Sequence, residues 1–214
     1  MQQITGRSRR EEIAVRIADA VTCVLPHMRD HIEWSPVFAH RVEQIRVSQL
    51  RLTEETAESR RQDFERLCAE YRTMREELDA TPEVRERPRW FEEISGVYWQ
   101  MARAARVVEM FERQQAEPAL PVTVHATRIG DMAFVTYPLA LYLDFGMQIK
   151  ARSKAVQTLT VQTADGHYRY LPTQRSLAGS AYGAVPESVV FGPQGGQELV
   201  EGTLKLIESL WAQD

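Results

Sequence analysis

The run Met132-Ala133-Phe134-Val135-Thr136-Tyr137, stopped by Pro138, constrains this chain more than any other stretch. A short apolar run closed by a residue that cannot donate to a ladder reads as a buried strand. Because it is apolar at both parities, it should lie centrally in a sheet and be covered on both faces. Upstream, Val122, Val124 and Ala126 alternate toward Ile129-Gly130-Asp131, a hairpin turn signal that makes Met132–Tyr137 the return strand. Downstream, Leu139 to Ser153 has helical spacing, with Leu139, Tyr142, Leu143, Gly146 and Ile149 on one face. Thr158 to Thr163 follows as a strand, then an Asp165-Gly166 turn and His167-Tyr168-Arg169-Tyr170-Leu171-Pro172-Thr173. Strand, helix and strand in that order bring polar aromatics to the carboxyl ends of strands, where α/β proteins build sites.

The rest of the chain supplies helices to cover such a sheet. Ser8 to Met28 reads as a helix that opens on a capping box, Ser8 with Glu11. Ile13, Ile17, Ala20, Val21, Val24 and Leu25 form its stripe, and Arg7, Arg9 and Arg10 suit a solvated end. Val42 to Leu52 alternates as a strand. Ile45 and Val47 share one parity and Leu50 and Leu52 the other, so a bulge is expected near Ser48-Gln49. Thr53 caps a long helix with Glu54 and Glu55 in its first turn and Phe64, Leu67, Cys68, Tyr71, Met74 and Leu78 along its apolar face. After a surface loop from Asp79, a third helix runs from about Pro88 to Gln115, and the two should pack antiparallel. Gln174 to Gly192 reads as a long loop. Gly195-Gly196 then precede a last helix with Leu199, Val200, Leu204, Ile207 and Leu210 facing inward.

The fold class that follows is mixed α/β (α+β), a mixed β-sheet packed with long amphipathic helices. Residues 1–117 are mostly helical with one strand, and 118–214 hold the strand-helix-strand core and the terminal helix. At 214 residues this is a single domain or the carboxyl-terminal part of a larger one.

Charge and cysteine usage narrow the function. A net charge of −4 offers no electrostatic case for nucleic acid or an anionic membrane surface. No apolar run approaches the ~20 residues of a membrane span, and no charged start leads into a signal-peptide core. A soluble, cytoplasmic chain is expected, with secretion of a longer precursor left open. Cys23 and Cys68 sit in helical patterns far apart and read as buried thiols. His27 and His31 have the spacing of a metal pair on one helix face, with Glu33 nearby, but Pro26 interrupts the helix there and a surface role competes. His125 reads as a structural strand residue, and His167 with a local serine is the weakest route to a small hydrolase.

Several spaced residues together resemble the neutral/alkaline (non-lysosomal) ceramidase family. They are Ile129-Gly130-Asp131, Pro138 followed by Gly146 and Ile149-Lys150-Ala151-Arg152-Ser153, Gly166 with Tyr170 and Pro172-Thr173, then Tyr182 and Gly192-Pro193 before the final helix. The resemblance covers roughly the last ninety residues. It implies the carboxyl-terminal half of a zinc amidohydrolase that cleaves N-acyl amides such as ceramide, a lipid-like substrate of sphingolipid metabolism. In the family, zinc is held by two histidines from the amino-terminal half, with a glutamate and a tyrosine from the carboxyl half. The tyrosine ligand matches Tyr170, and the tyrosine that binds the reacting carbonyl matches Tyr182. The glutamate position falls at Ala140 in Pro138-Leu139-Ala140. The histidine ligands and the serine nucleophile belong to a half this chain lacks. Hydrolysis by the isolated chain is therefore not expected, nor is tight zinc. A separate amino-terminal half or a homo-oligomer is the implied partner, and a degenerate binding or assembly module of the same fold is the alternative.

Overall fold

The computed structural model describes residues 6–212. The chain divides into two compact units, one ending at Val37 and the other beginning at Phe38. The first holds helix α1 (Arg9–Met28) and a 3-10 turn, Arg29–His31. Its capping box is the expected one. Ser8 Oγ accepts the Glu11 N–H at 3.3 Å, and the Glu11 carboxylate accepts the Ser8 N–H at 2.8 Å. Pro26 lies inside the helix rather than breaking it, since it falls in the last turn, where one lost hydrogen bond is tolerated. None of its residues is buried, and Cys23, expected as a buried thiol, is exposed.

The second unit opens with β1 (Phe38–Ser48), α2 (Glu54–Ala80) and α3 (Phe91–Ala116). Next come β2 (Ala119–Ile129), β3 (Met132–Thr136), β4 (Ala140–Leu141), α4 (Leu143–Arg152) and β5 (Gln157–Val161). It closes with β6 (Tyr170–Leu171), α5 (Gln174–Ala178) and α6 (Pro193–Ser209). A four-stranded mixed sheet has the order β1-β2-β3-β5. The first three strands are antiparallel, and β3 and β5 run parallel. The parallel step needs a crossover, which α4 supplies. Among the described residues, no helix is long and apolar enough to cross a membrane.

The hairpin turns at Gly130-Asp131 as expected, with Ile129 opposite Met132. Its return strand is covered on one face only. Ala133 and Val135 are buried while Phe134 and Thr136 are half-buried, because α4 and α6 pack on the other side. The register of β1 against β2 is one-to-one from Phe38–Ile129 to Ser48–Ala119, so the expected bulge is absent. Leu50 and Leu52 change side because the strand has ended. The Leu50 N–H donates to the Val190 carbonyl at 2.8 Å, and Leu52 packs with Val107 and Met110 in a second, smaller core.

Helices α2 and α3 form the expected pair. Thr53 Oγ1 accepts the Thr56 N–H at 3.2 Å, and Gln114 at the far end of α3 bonds both backbone groups of Leu52 at 2.8 Å. The third helix starts at Phe91 rather than Pro88, after Arg89 has taken a left-handed φ of 62°. Both glycines expected before the last helix lie inside it. Gly195 brings α6 against the Ser48 backbone, and Glu198 then accepts the Ser48 N–H and hydroxyl, each at 2.7 Å. At the other end of α6, Arg128 donates to the Leu210 carbonyl at 3.2 Å, with its guanidinium 4.3 Å from the Trp211 ring centre. The expected loop from Gln174 to Gly192 contains α5 and a 3-10 turn, Pro186–Ser188, and it buries Val189, Val190 and Phe191.

Candidate functional site

The segment after Pro138 differs from the expected helix, and that difference builds the site. Tyr142 is extended (φ −65°, ψ 146°), so α4 begins at Leu143. Ahead of it, Ala140 and Leu141 form β4, paired parallel with Tyr170 and Leu171 of β6. The Ala140 N–H donates to the Arg169 carbonyl at 2.7 Å and the Tyr142 N–H to the Leu171 carbonyl at 3.2 Å. Ala140 is therefore a strand residue in register with Tyr170, and the helix end expected beside it starts three residues later. The inward face of α4 is carried by Phe145, Gly146 and Ile149, while Leu143 is exposed.

Tyr170 meets two other tyrosines. The Tyr182 ring stands edge-on to it at 5.8 Å between centres, and the Tyr142 ring at 6.5 Å. The Tyr142 hydroxyl donates to the Tyr182 carbonyl. Edge-to-face rings at these distances attract through their quadrupoles. Gly183 is required for the chain to fold over Tyr170. Its φ is +75°, and a Cβ there would come 2.6 Å from the Tyr170 ring. The structure thus brings together Ala140, Tyr170 and Tyr182, the three positions singled out by the resemblance, and adds Tyr142. Tyr182 is 87% exposed, so its ring packs by one edge and presents the rest to solvent. A cavity of about 520 Å³ opens beside it, lined by Ala181, Tyr182, Gly183 and Arg103 among others.

The hydrogen bond with Tyr182 holds the Tyr170 hydroxyl above the ordinary tyrosine range, with desolvation and the neighbouring phenols adding to it. This donor set does not fit the zinc that the resemblance implies. Tyr170 would be the one side-chain ligand of the three positions, short of the three protein ligands that a catalytic zinc takes. The Ala140 side chain has no atom that could ligate a metal.

The remaining candidates are dispersed. His27, His31 and Glu33 are exposed in the first unit, and His167 is exposed with no serine hydrogen-bonded to it among the described residues. His125, expected to be structural, belongs to a small polar chain on the outer face of the sheet. His40 Nε2 lies 3.3 Å from His125 Nδ1, and His125 Nε2 lies 3.3 Å from Asp165 Oδ2. Parity alone could have placed both rings on one face, but their diagonal pairing needs the register of β1 on β2. No group of three His, Cys, Asp or Glu side chains among the described residues is arranged to hold a metal ion.

Comparison with known proteins leaves this geometry to stand alone: no family model matches the chain, and neither curated proteins nor solved structures yield a match.

Proposed function

We propose that this chain is the carboxyl-terminal part of a ceramidase-like amidohydrolase fold and that, by itself, it binds an N-acyl amide without hydrolysing it. The observation that carries the reading is the register of Ala140 with Tyr170, beneath the Tyr182 ring. With Tyr170 and Tyr182 hydrogen-bonded to each other, one phenol O–H of the pair stays free to donate to a carbonyl oxygen, while a methyl group occupies the place of the family's carboxylate. Hydroxyls in their neutral form are the form that donates, which agrees with the direction in which Tyr170 is held. Ceramide in mixed micelles tests this. The chain should bind it without releasing fatty acid, and Tyr182→Phe should weaken binding by about tenfold, or ~1.4 kcal/mol. Fatty-acid release that depends on protein concentration would overturn the non-hydrolytic half of the reading. Binding indifferent to Tyr182→Phe would overturn the assignment of the cleft.

A second reading, assembly with a separate amino-terminal half or another copy, is favoured by the outer sheet face. Phe38, Val42, Met132 and Val161 are cross-strand neighbours of one another or of residues between them, and all are at least 38% exposed. Light scattering across a concentration series distinguishes self-association from a requirement for a different chain.

A further inference from the structure

A cavity between α3 and the segment that carries Arg169 holds unbalanced positive charge. Arg103 and Arg106 are three apart on α3 and so share a face of the helix. Both line a cavity of about 600 Å³ together with Arg169, Glu109, Glu187 and Trp99. The Glu187 carboxylate also lies 2.5 Å from Arg60. Arg60 is itself shared with Asp63 at 3.3 Å, so three guanidinium groups face Glu109 and a Glu187 only partly neutralised, and positive charge remains in excess.

Arg106 shows the imbalance at atomic level. Its Nε–H is buried and has no hydrogen-bond partner. An unsatisfied buried donor on a charged group costs about 1–3 kcal/mol or more, so the Arg106 guanidinium is left under-partnered by the protein itself. Burial lowers the hold of Arg106 on its proton, and the charges of Arg169 and Arg113 add to that effect. The chain also spends backbone strain at this point. Arg169 has a φ of +67°, a conformation that non-glycine residues rarely adopt, and it is held there by the bond from Ala140 to its carbonyl.

From this geometry we infer that Arg103, Arg106 and Arg169 form an oxyanion site for a phosphate monoester. Planar guanidinium forks match phosphate oxygens in pairs, and such charge-assisted bonds are about twice as strong as neutral ones. A phosphate monoester carries about −1.5 to −2 and three acceptor oxygens, enough to engage more than one guanidinium at once. Free phosphate and a phosphorylated lipid headgroup present the same chemistry. The inference does not depend on the N-acyl amide reading, because none of its three arginines acts in that proposal.

Calorimetric titration of the full chain tests it, with inorganic phosphate against chloride at matched ionic strength. A second arm uses phosphatidylcholine vesicles with and without phosphatidic acid. Saturable phosphate binding is expected, weakened by about tenfold or more in Arg106→Gln and in Arg169→Gln, and unchanged in Arg41→Gln on β1. The same variant pattern seen only with phosphatidic acid vesicles would assign the site to a lipid headgroup. Should Arg106→Gln fail to fold, as read by circular dichroism, the exposed Arg169 still gives the answer. Equal binding by all three variants, or no saturable binding to either probe, overturns the site.

Discussion

The hydroxyl of Tyr137 donates to Thr203 Oγ1 at 3.2 Å, and both side chains are fully buried. The bond joins the residue just past β3 to the middle of α6. It therefore fixes the chain immediately before Pro138 and the strand that carries Ala140. Tyr137→Phe should lower stability by about 1 kcal/mol, the usual net contribution of one buried hydrogen bond. Urea unfolding at neutral pH measures this, and an unchanged midpoint would show that the bond contributes nothing.

The same residue predicts alkaline sensitivity. Burial holds the Tyr137 phenol far above its ordinary range, and the Tyr182 hydrogen bond raises Tyr170 as well. Unfolded tyrosines ionise near pH 10. Above that value the unfolded chain releases protons that the folded chain keeps, so folding stability falls as pH rises. These two tyrosines add no pH dependence between neutral pH and about pH 10, and the decline sets in above it. In Tyr137→Phe the decline should be shallower, and parallel curves for the two proteins would refute the assignment.

Removing the Tyr182 hydroxyl should release Tyr170. With that hydrogen bond gone, the largest influence raising Tyr170 disappears. In Tyr182→Phe, phenolate absorbance from Tyr170 should therefore appear at lower pH, identified by its loss in the double variant with Tyr170→Phe. Tyr142→Phe should shift Tyr170 less, since Tyr142 acts on it only through space. A Tyr170 titration unmoved by Tyr182→Phe would mean the two hydroxyls are not coupled.

What could be read from the sequence was what local chemistry decides. The box at Ser8 and Glu11, the cap at Thr53 and the turn at Gly130-Asp131 each involve residues within four positions, and all three form. The helix expected from Leu139 failed because Ala140 and Leu141 bond instead to Arg169–Leu171, a partner that no local period encodes. The apolar spacing around Tyr142 suits a helix, but the backbone N–H groups of Ala140 and Tyr142 bond to Arg169 and Leu171 in a separate two-stranded sheet instead. His40 and His125, 85 residues apart, were hidden for the same reason. The tyrosine pair was reached only through the resemblance. Nothing in its own neighbourhood marks Tyr182 as folding back over Tyr170, apart from Gly183 next to it.

Zinc content tests the metal-free half of the proposed reading. On that reading Tyr170 would be the one metal donor here, and it is held toward its neutral form. After dialysis the purified protein should carry far less than one equivalent of zinc by elemental analysis. A stoichiometric, tightly held ion would show that other ligands exist.

Two glycines in helices should respond to alanine in opposite directions. At Gly195 in α6, a Cβ would come 2.7 Å from the Val47 side chain and closer still to the Ser48 carbonyl oxygen. That carbonyl is backbone, in a strand end that Glu198 also holds, so it cannot move aside cheaply. Gly195→Ala should cost about 1–3 kcal/mol, in the range of overpacked cores. At Gly96 in α3 no atom lies within 4 Å of the new methyl. There the substitution only removes conformational freedom from the unfolded chain, and Gly96→Ala should stabilise by about 0.5–1 kcal/mol. Thermal unfolding of both variants beside the parent checks the pair. If Gly195→Ala is neutral, α6 does not approach β1 as closely as the structure has it, and the strand end next to α6 is free to shift.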